Sequence, residues 1–277
     1  MKNRKLPIIK VMSFNIAHGL GMDGITDLER TAAVIEDSRA DIIGLQEVDR
    51  FFGERSSFMD QVEWLGQRLG LHTAYGANLD FASADAGKPN QQYGNAILSK
   101  YPITYSRNHH MTPVKQWYGN DEQRGVLEAV IEIDNMAVTV FNAHLSLKDE
   151  ELKLSVDEIL ALTERSEFPC IVMGDFNAPP FYAPIRKMTR HFTDAFLKMK
   201  NGDAYTYPST YSYSKTGVDL KPVTRIDYIF LSPELEVVQT AAIPTDVSDH
   251  LPIVAEVVLA RTNQILPSQK KPSKAKV

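Results

Sequence analysis

The stretch Ile171-Val172-Met173-Gly174-Asp175-Phe176-Asn177 is an apolar run that ends on an acid and an amide. An apolar run of this length reads as a buried strand. A carboxylate at the end of a buried strand must be compensated, because an unpaired buried charge is very costly. Ser248-Asp249-His250-Leu251-Pro252 again sets polar side chains beside an apolar run. A divalent cation is the usual compensation, and hard cations such as Mg²⁺ take oxygen ligands. A histidine beside such a carboxylate can serve as a base near neutral pH. The two stretches together point to metal-assisted hydrolysis of a phosphate ester.

Outward from Asp175, similar strand ends recur along the chain. Ile8–Ile16 reads as a strand that carries Asn15, and 41–46 as a short apolar strand that ends at Glu47. Ala96-Ile97-Leu98 and Ile103-Thr104-Tyr105 flank a Lys-Tyr-Pro turn, and 126–133 with 137–143 read as a hairpin through Asp134-Asn135. Late strands are expected at 225–231, 235–241 and 253–259. Helical spacing occurs at 27–38, with Thr26 or Asp27 as N-cap, at 59–69 and at 150–162. Strands outnumber helices, and hairpins mix with helical crossovers, which predicts an α+β fold of packed sheets with helices outside. Segments 80–92, 110–124 and 201–221 read as long loops, the second with Trp117 and Tyr118, the third with Tyr205, Tyr207, Tyr211 and Tyr213. Loops of this length in a compact domain are often functional.

Composition narrows the class. The 277 residues are 43% hydrophobic and 23% charged, as in ordinary soluble globular proteins. No apolar run approaches the ~20 residues that span a bilayer. Lys10 interrupts the N-terminal apolar stretch and no small-residue cleavage site follows, so this stretch reads as a strand and not as a secretory signal. The one cysteine, Cys170, lies inside a predicted strand and reads as a buried inert thiol. A reducing cytoplasm fits this usage. The net charge of -5 argues against sequence-blind duplex binding through a basic face. With no repeat and no linker, residues 1–262 read as one catalytic domain. Residues 263–277, with Lys270, Lys271, Lys274 and Lys276 among Pro and Ser, read as a basic, disordered tail.

Six short signatures stand at these strand ends: Ser13-Phe14-Asn15, Leu45-Gln46-Glu47, Phe141-Asn142-Ala143-His144-Leu145, Gly174-Asp175-Phe176-Asn177, Arg225-Ile226-Asp227-Tyr228 and Ser248-Asp249-His250. In this order, over about residues 8–260, the chain resembles the endonuclease/exonuclease/phosphatase superfamily. The resemblance implies a four-layer α/β/β/α sandwich of two mainly antiparallel sheets and a Mg²⁺- or Mn²⁺-dependent phosphoesterase. It implies that Glu47 is the principal metal ligand, with Asn15 on the metal or its water and Asp249 supporting the metal or the histidine. It implies that Asp175 and Asn177 orient nucleophile and phosphate. His250 resembles the general base with Asp227 as its partner, and His144 the donor to a phosphoryl oxygen or the leaving group. Arg225 reads as fixing its own loop. Arg124, Asn95 and Tyr207 are weaker candidates for substrate contact, with an arginine suited to phosphate and a tyrosine to stacking on a base.

Taken singly, each residue has an ordinary reading: Asn15 as a turn residue, Asp175 and Asn177 as caps before Pro179-Pro180, Asp227 and Arg225 as an ion pair. Their joint order favours the chemical reading. His144 stands where abasic-site endonucleases of the superfamily carry a tyrosine, and Ala17 where they carry an aspartate. The pattern is closer to the two-histidine branch. A phosphodiester in nucleic acid is the favoured substrate. Lipid headgroups or small soluble phosphates form the alternative, and a non-catalytic binding domain is a third reading.

Overall fold

The computed structural model describes residues 7–83, 87–114, 122–134, 136–202, 204–209, 212–213 and 219–259, the side chains of 212–213 and 219–220 excepted. Trp117, Tyr118, Tyr211, the side chain of Tyr213, Asn135 of the predicted turn and the tail 263–277 lie outside the described residues.

The first half of the chain forms β1 (Ile8–Asn15), α1 (Leu28–Ser38), β2 (Ile42–Arg50), α2 (Gln61–Leu69), β3 (His72–Phe81), β4 (Gln91–Ser99), β5 (Ile103–His110) and β6 (Gly125–Ile133). Next come β7 (Met136–His144), α3 (Asp149–Thr163), β8 (Cys170–Asp175), α4 (Ala183–His191), β9 (Thr193–Asp194) and α5 (Ala195–Lys198). The chain closes through β10 (Ser212–Tyr213), β11 (Asp219–Leu220), β12 (Asp227–Leu231), β13 (Leu235–Ala242) and β14 (Ile253–Leu259).

The strands make two six-stranded sheets, ordered β13-β14-β1-β2-β4-β3 and β5-β6-β7-β8-β12-β9, while β10 and β11 pair by themselves. Each large sheet has one parallel pair at its centre, β1 with β2 and β7 with β8, and is otherwise antiparallel. A parallel pair needs a long crossover, here supplied by α1 and α3. Both strands of such a pair end at the same edge. Asn15 therefore lies opposite Gln46, next to Glu47, and His144 lies opposite Asp175.

Successive side chains of a strand face opposite ways, and the core divides accordingly. Ile9, Val11 and Ile42 of one sheet meet Leu127, Val140, Ile171 and Met173 of the other in the central layer. Met12, Phe14, Ile43 and Leu45 face outward onto Leu28, Ala32 and Ile35 of α1 and Val62 and Leu65 of α2. Phe141, Val172 and Phe230 face outward onto Leu152, Val156 and Ile159 of α3 and Ile185 and Met188 of α4. The result is a four-layer α/β/β/α sandwich, as the family resemblance implies.

Polar groups cross the central layer near the edge where Asn15 and Asp175 end their strands. Buried Asn142 donates to the carbonyls of Leu45 and Ala96, each at 2.8 Å, and accepts from Gln46 Nε2 at 2.6 Å. A Cβ on Gly44 would lie 2.9 Å from the Asn142 side chain, so this glycine leaves the amide room. Gly174 is equally constrained: its φ is +141° and a Cβ there would lie 1.9 Å from the Ala143 carbonyl.

Several boundaries differ from expectation. β2 does not stop at Glu47 but continues to Arg50, with a register shift between Leu45 and Val48 and Glu47 at φ 57°. A bulge of this kind re-aims a side chain without ending the strand. The loop expected at 80–92 is short, because β3 and β4 pair from Phe81 and Gln91 onward. β3 escapes a pattern reading because it is an edge strand interrupted by Gly76 and the buried Asn78. β5 extends to His110, and α4 begins with a proline in its first turn that reads from sequence as punctuation.

Replacing Asn142 by leucine takes a donor from the Leu45 and Ala96 carbonyls and the shortest acceptor from the Gln46 amide, which keeps only its 3.3 Å bonds to Ser13 Oγ and the Gly44 carbonyl. Since each buried unpaired group costs ~1–3 kcal/mol, the expected loss of unfolding free energy is about 3–5 kcal/mol, measured by denaturant titration.

Candidate active site

Asn15 ends β1 fully buried, and its amide joins the two sheets. Nδ2 donates to Glu47 Oε1 at 3.0 Å and to Asp175 Oδ2 at 3.1 Å, while Oδ1 accepts the Ala17 N–H at 3.1 Å. The Asn15 carbonyl accepts from Ser248 Oγ at 2.7 Å, and Ser248 Oγ also accepts the His250 N–H at 3.2 Å. One hydroxyl thereby moors the Ser248-Asp249-His250 loop to β1.

Asp175 is the hub. Its Oδ1 accepts the Asn177 N–H at 2.8 Å, an Asx turn that Asn177 closes at φ 50°. Its Oδ2 faces Asn15 and lies 3.6 Å from both His144 Nε2 and His250 Nε2. Asp227 is opposite Asp175 in the β12–β8 ladder and meets His250 Nδ1 at 3.0 Å, which leaves His250 Nε2 toward Asp175. The Asn177 side chain donates to the Leu145 carbonyl at 3.0 Å, tying the ends of β7 and β8 together.

The electrostatics follow from burial. Burial raises the Asp175 carboxyl, and the Asp227 charge adds to it, against the pull of His250, the Asn177 N–H and Asn15. Burial lowers His144 well below the usual imidazole range, and the cations of Arg124 and His250 act the same way. For His250 burial also works downward, but Asp227 and Asp175 outweigh it and the imidazole is raised. Burial raises Glu47, as does the Asp249 charge, against the Asn15 amide.

Two groups of donors suit a cation. Asp175, Asp227 and His250 offer ligand atoms within 4.8 Å of one another, but there an imidazole already lies between two carboxylates. At Glu47 the carboxylate has an Asn15 N–H against it and the Asp249 charge beside it. Carboxylate oxygens are what hard divalent cations take, so Glu47 and the nearby Asp249 fit a metal, while the Asn15 amide turns its N–H to Glu47 and its Oδ1 to the Ala17 N–H, an orientation that suits a water on that metal.

The other predicted residues divide. Tyr207 packs its ring 4.9 Å from the His250 ring. Arg124 precedes Gly125, which lies opposite His144 in the β6–β7 ladder, and the Arg124 guanidinium is 2.8 Å from Glu122. Asn95 is not brought to the pocket. It is fully buried and donates to the Gly125 carbonyl at 2.9 Å, a link between sheets and not a substrate contact. Arg225 grips Asp194 with two bonds of 3.0 and 2.7 Å beneath the Tyr228 ring. It does not pair with Asp227, which is thus left to His250. Gln46, Asn142 and Ser248 lie inside the six signatures but received no role from sequence, while the pairing of Arg124 with Glu122 is the other reading that the sequence allows for that arginine. The signal for the first three was a polar residue set in an apolar run or against a site residue.

The sequence profile of the Endonuclease/Exonuclease/phosphatase family matches residues 12–250, and the chain belongs to this family. The family is one of phosphoric ester hydrolases, generally dependent on a divalent metal. The uncharacterized protein YbhP of Escherichia coli K12 is 25% identical over 269 residues, which cover 90% of this chain and 96% of that one. An endonuclease/exonuclease/phosphatase of Beutenbergia cavernae shares the fold with a TM-score of 0.73 at 23% identity, covering 91% of this chain and 72% of that one. The mannosyl-6-phosphatase of Bacteroides thetaiotaomicron shares it with a TM-score of 0.63 at 18% identity, covering 90% and 99%. Among the described residues no helix is long and apolar enough to cross a membrane.

Arg225→Met leaves Asp194 charged and buried without its guanidinium. Breaking such a pair costs about 3–5 kcal/mol, a loss to be read as a lower denaturant midpoint.

Proposed function

We propose that this chain is a metal-dependent phosphodiester hydrolase that uses an activated water, with nucleic acid as its favoured substrate. The observation that carries the reading is the convergence on Asp175 Oδ2 of Asn15 and the His250 loop from one sheet and His144 from the other. Glu47, Asn15 and Asp249 would hold Mg²⁺ or Mn²⁺, which when bound supplies charge neutralisation at the phosphoryl oxygens.

The attacking water is oriented by Asp175, whose carboxyl burial has raised toward the range of a useful base. As the water oxygen bonds to phosphorus, its proton passes into the Asp175–His250–Asp227 set, and the bond to the leaving oxygen breaks. The set returns that proton to the leaving oxygen. His250, which the resemblance makes the general base, is instead kept cationic by its two carboxylates, so it leaves the base role to Asp175 and stabilises negative charge on the phosphoryl group. His144, kept neutral by burial, donates a hydrogen bond there, as does Asn177. Arg124 contacts a flanking phosphate. Tyr207 against His250, and Arg55 over the Phe52 ring at 4.3 Å, offer flat surfaces to bases.

A second reading has its own support. Leu147, Phe181 and Val223 are 76, 70 and 69% exposed, and each lies within a few residues of a site residue in sequence. An apolar rim of that kind suits a lipid headgroup substrate in an interface. Small soluble phosphates are a further option, as the sugar phosphatase of the same fold illustrates.

The test is product release from DNA, RNA, phospholipid vesicles, sugar phosphates and an aryl phosphodiester, with Mg²⁺, Mn²⁺ or chelator. Wild type turns over only with metal. Glu47→Gln and His250→Ala lose about 10²–10³-fold in kcat, and turnover that survives chelator or either substitution overturns the mechanism. The substrate is read separately. On nucleic acid, kcat/KM falls steeply between low and physiological salt, as phosphate contacts require. Faster turnover on vesicles than on any nucleic acid instead establishes the second reading.

A further inference from the structure

We propose that Gln61 is a positioning residue that sets the spacing of the two segments carrying Asn15 and Glu47, and thereby the affinity of the site for a divalent cation. This rests on the reading of those residues as the cation's holders.

The ladder between β1 and β2 closes at Asn15 and Gln46, with one further bond from the Ile16 N–H to the Gln46 carbonyl at 3.1 Å. Beyond that point both chains take unfavourable backbone conformations. Ala17 and His18 turn through left-handed φ of 45° and 48°, and Glu47 does so at 57° on its bulge. A non-glycine residue in that region costs ~1–3 kcal/mol and persists only where its surroundings impose it. Strain at the residues next to one ligand and at the other ligand itself calls for a brace.

The Gln61 side chain provides it. Its Nε2 donates to the His18 carbonyl at 2.7 Å, and its Oε1 accepts the Asp49 N–H at 2.9 Å. One amide thus spans from the turn after Asn15 to the strand after Glu47. Gln61 is 1% exposed, so neither bond competes with water. The mount is rigid. Gln61 is the first residue of α2, and Asp60 before it caps the helix through the Glu63 N–H at 3.0 Å and accepts from Arg50 Nε at 2.9 Å. The task needs one donor and one acceptor on an arm of this length, which a glutamine has and a methionine lacks. Gln61 acts on the ligands through their backbone and touches no reacting group.

The experiment is calorimetric titration of Mn²⁺ alone into wild type, Gln61→Met and Gln61→Asn, with circular dichroism and melting of each. Gln61→Met keeps length and loses both bonds. Gln61→Asn keeps the amide on an arm one methylene too short to reach both partners. The expected result is a folded protein whose Mn²⁺ Kd rises about 10–100-fold, the range found when groups behind metal ligands are removed, with kcat at saturating metal changed less than fivefold. An unchanged Mn²⁺ affinity beside a lowered Tm overturns the proposal, because Gln61 then serves the fold alone. So does failure of both variants to fold at 25 °C. Wild type that binds no Mn²⁺ overturns the assignment of Asn15 and Glu47 first, and this inference with it. The wild-type arm therefore separates the two failures.

Discussion

The buried amide of Asn142 holds the two sheets in the one relative position that makes a site. Apolar packing between sheets is non-directional and tolerates sliding. Hydrogen bonds from Asn142 to the Leu45 and Ala96 carbonyls do not, nor does the one it accepts from Gln46. Asn95 adds a second crossing to the Gly125 carbonyl. These links lie just below the strand ends. With the sheets locked there, Asn15 of one sheet comes within hydrogen-bonding distance of Asp175 of the other.

The second constraint is the parallel pair at the centre of each sheet. Because a parallel pair ends both strands at one edge, each sheet delivers two functional positions together. Antiparallel neighbours then contribute the starts of their strands at that edge, as β12 does with Asp227. The edge accumulates buried acids and imidazoles, and their charges settle one another. Asp194 removes Arg225 from the account, Asp227 holds His250, and Glu47 is left with an amide and the charge of Asp249 nearby. The region best suited to a cation is where carboxylate charge is least compensated.

Much of this was legible in short signatures. Asp175, Asp227, His250, His144, Asn15 and Glu47 stand at strand ends because apolar runs stop at them, and the same runs mark the core. The elements that escaped were those without a clean apolar period: β3 at a sheet edge, α4 behind a proline, and the continuation of β2 beyond Glu47. Asn95, a weak candidate for which a structural role was the stronger reading, shows the ambiguity from the other side. A polar residue in an apolar strand resembles a site residue from sequence, yet its partners were the backbone of the facing sheet.

By itself the sequence determined the central strands, their crossover helices, the family and the acids and histidines at the strand ends, because these depend on local periodicity and on the cost of burying charge. Only the tertiary structure decided which carboxylate holds His250, that Arg225 belongs to Asp194, and that the Gln61 amide joins the turn after Asn15 to the strand after Glu47. Those choices depend on contacts between residues far apart in sequence, made within about 3 Å, and no local pattern encodes a distance of that kind.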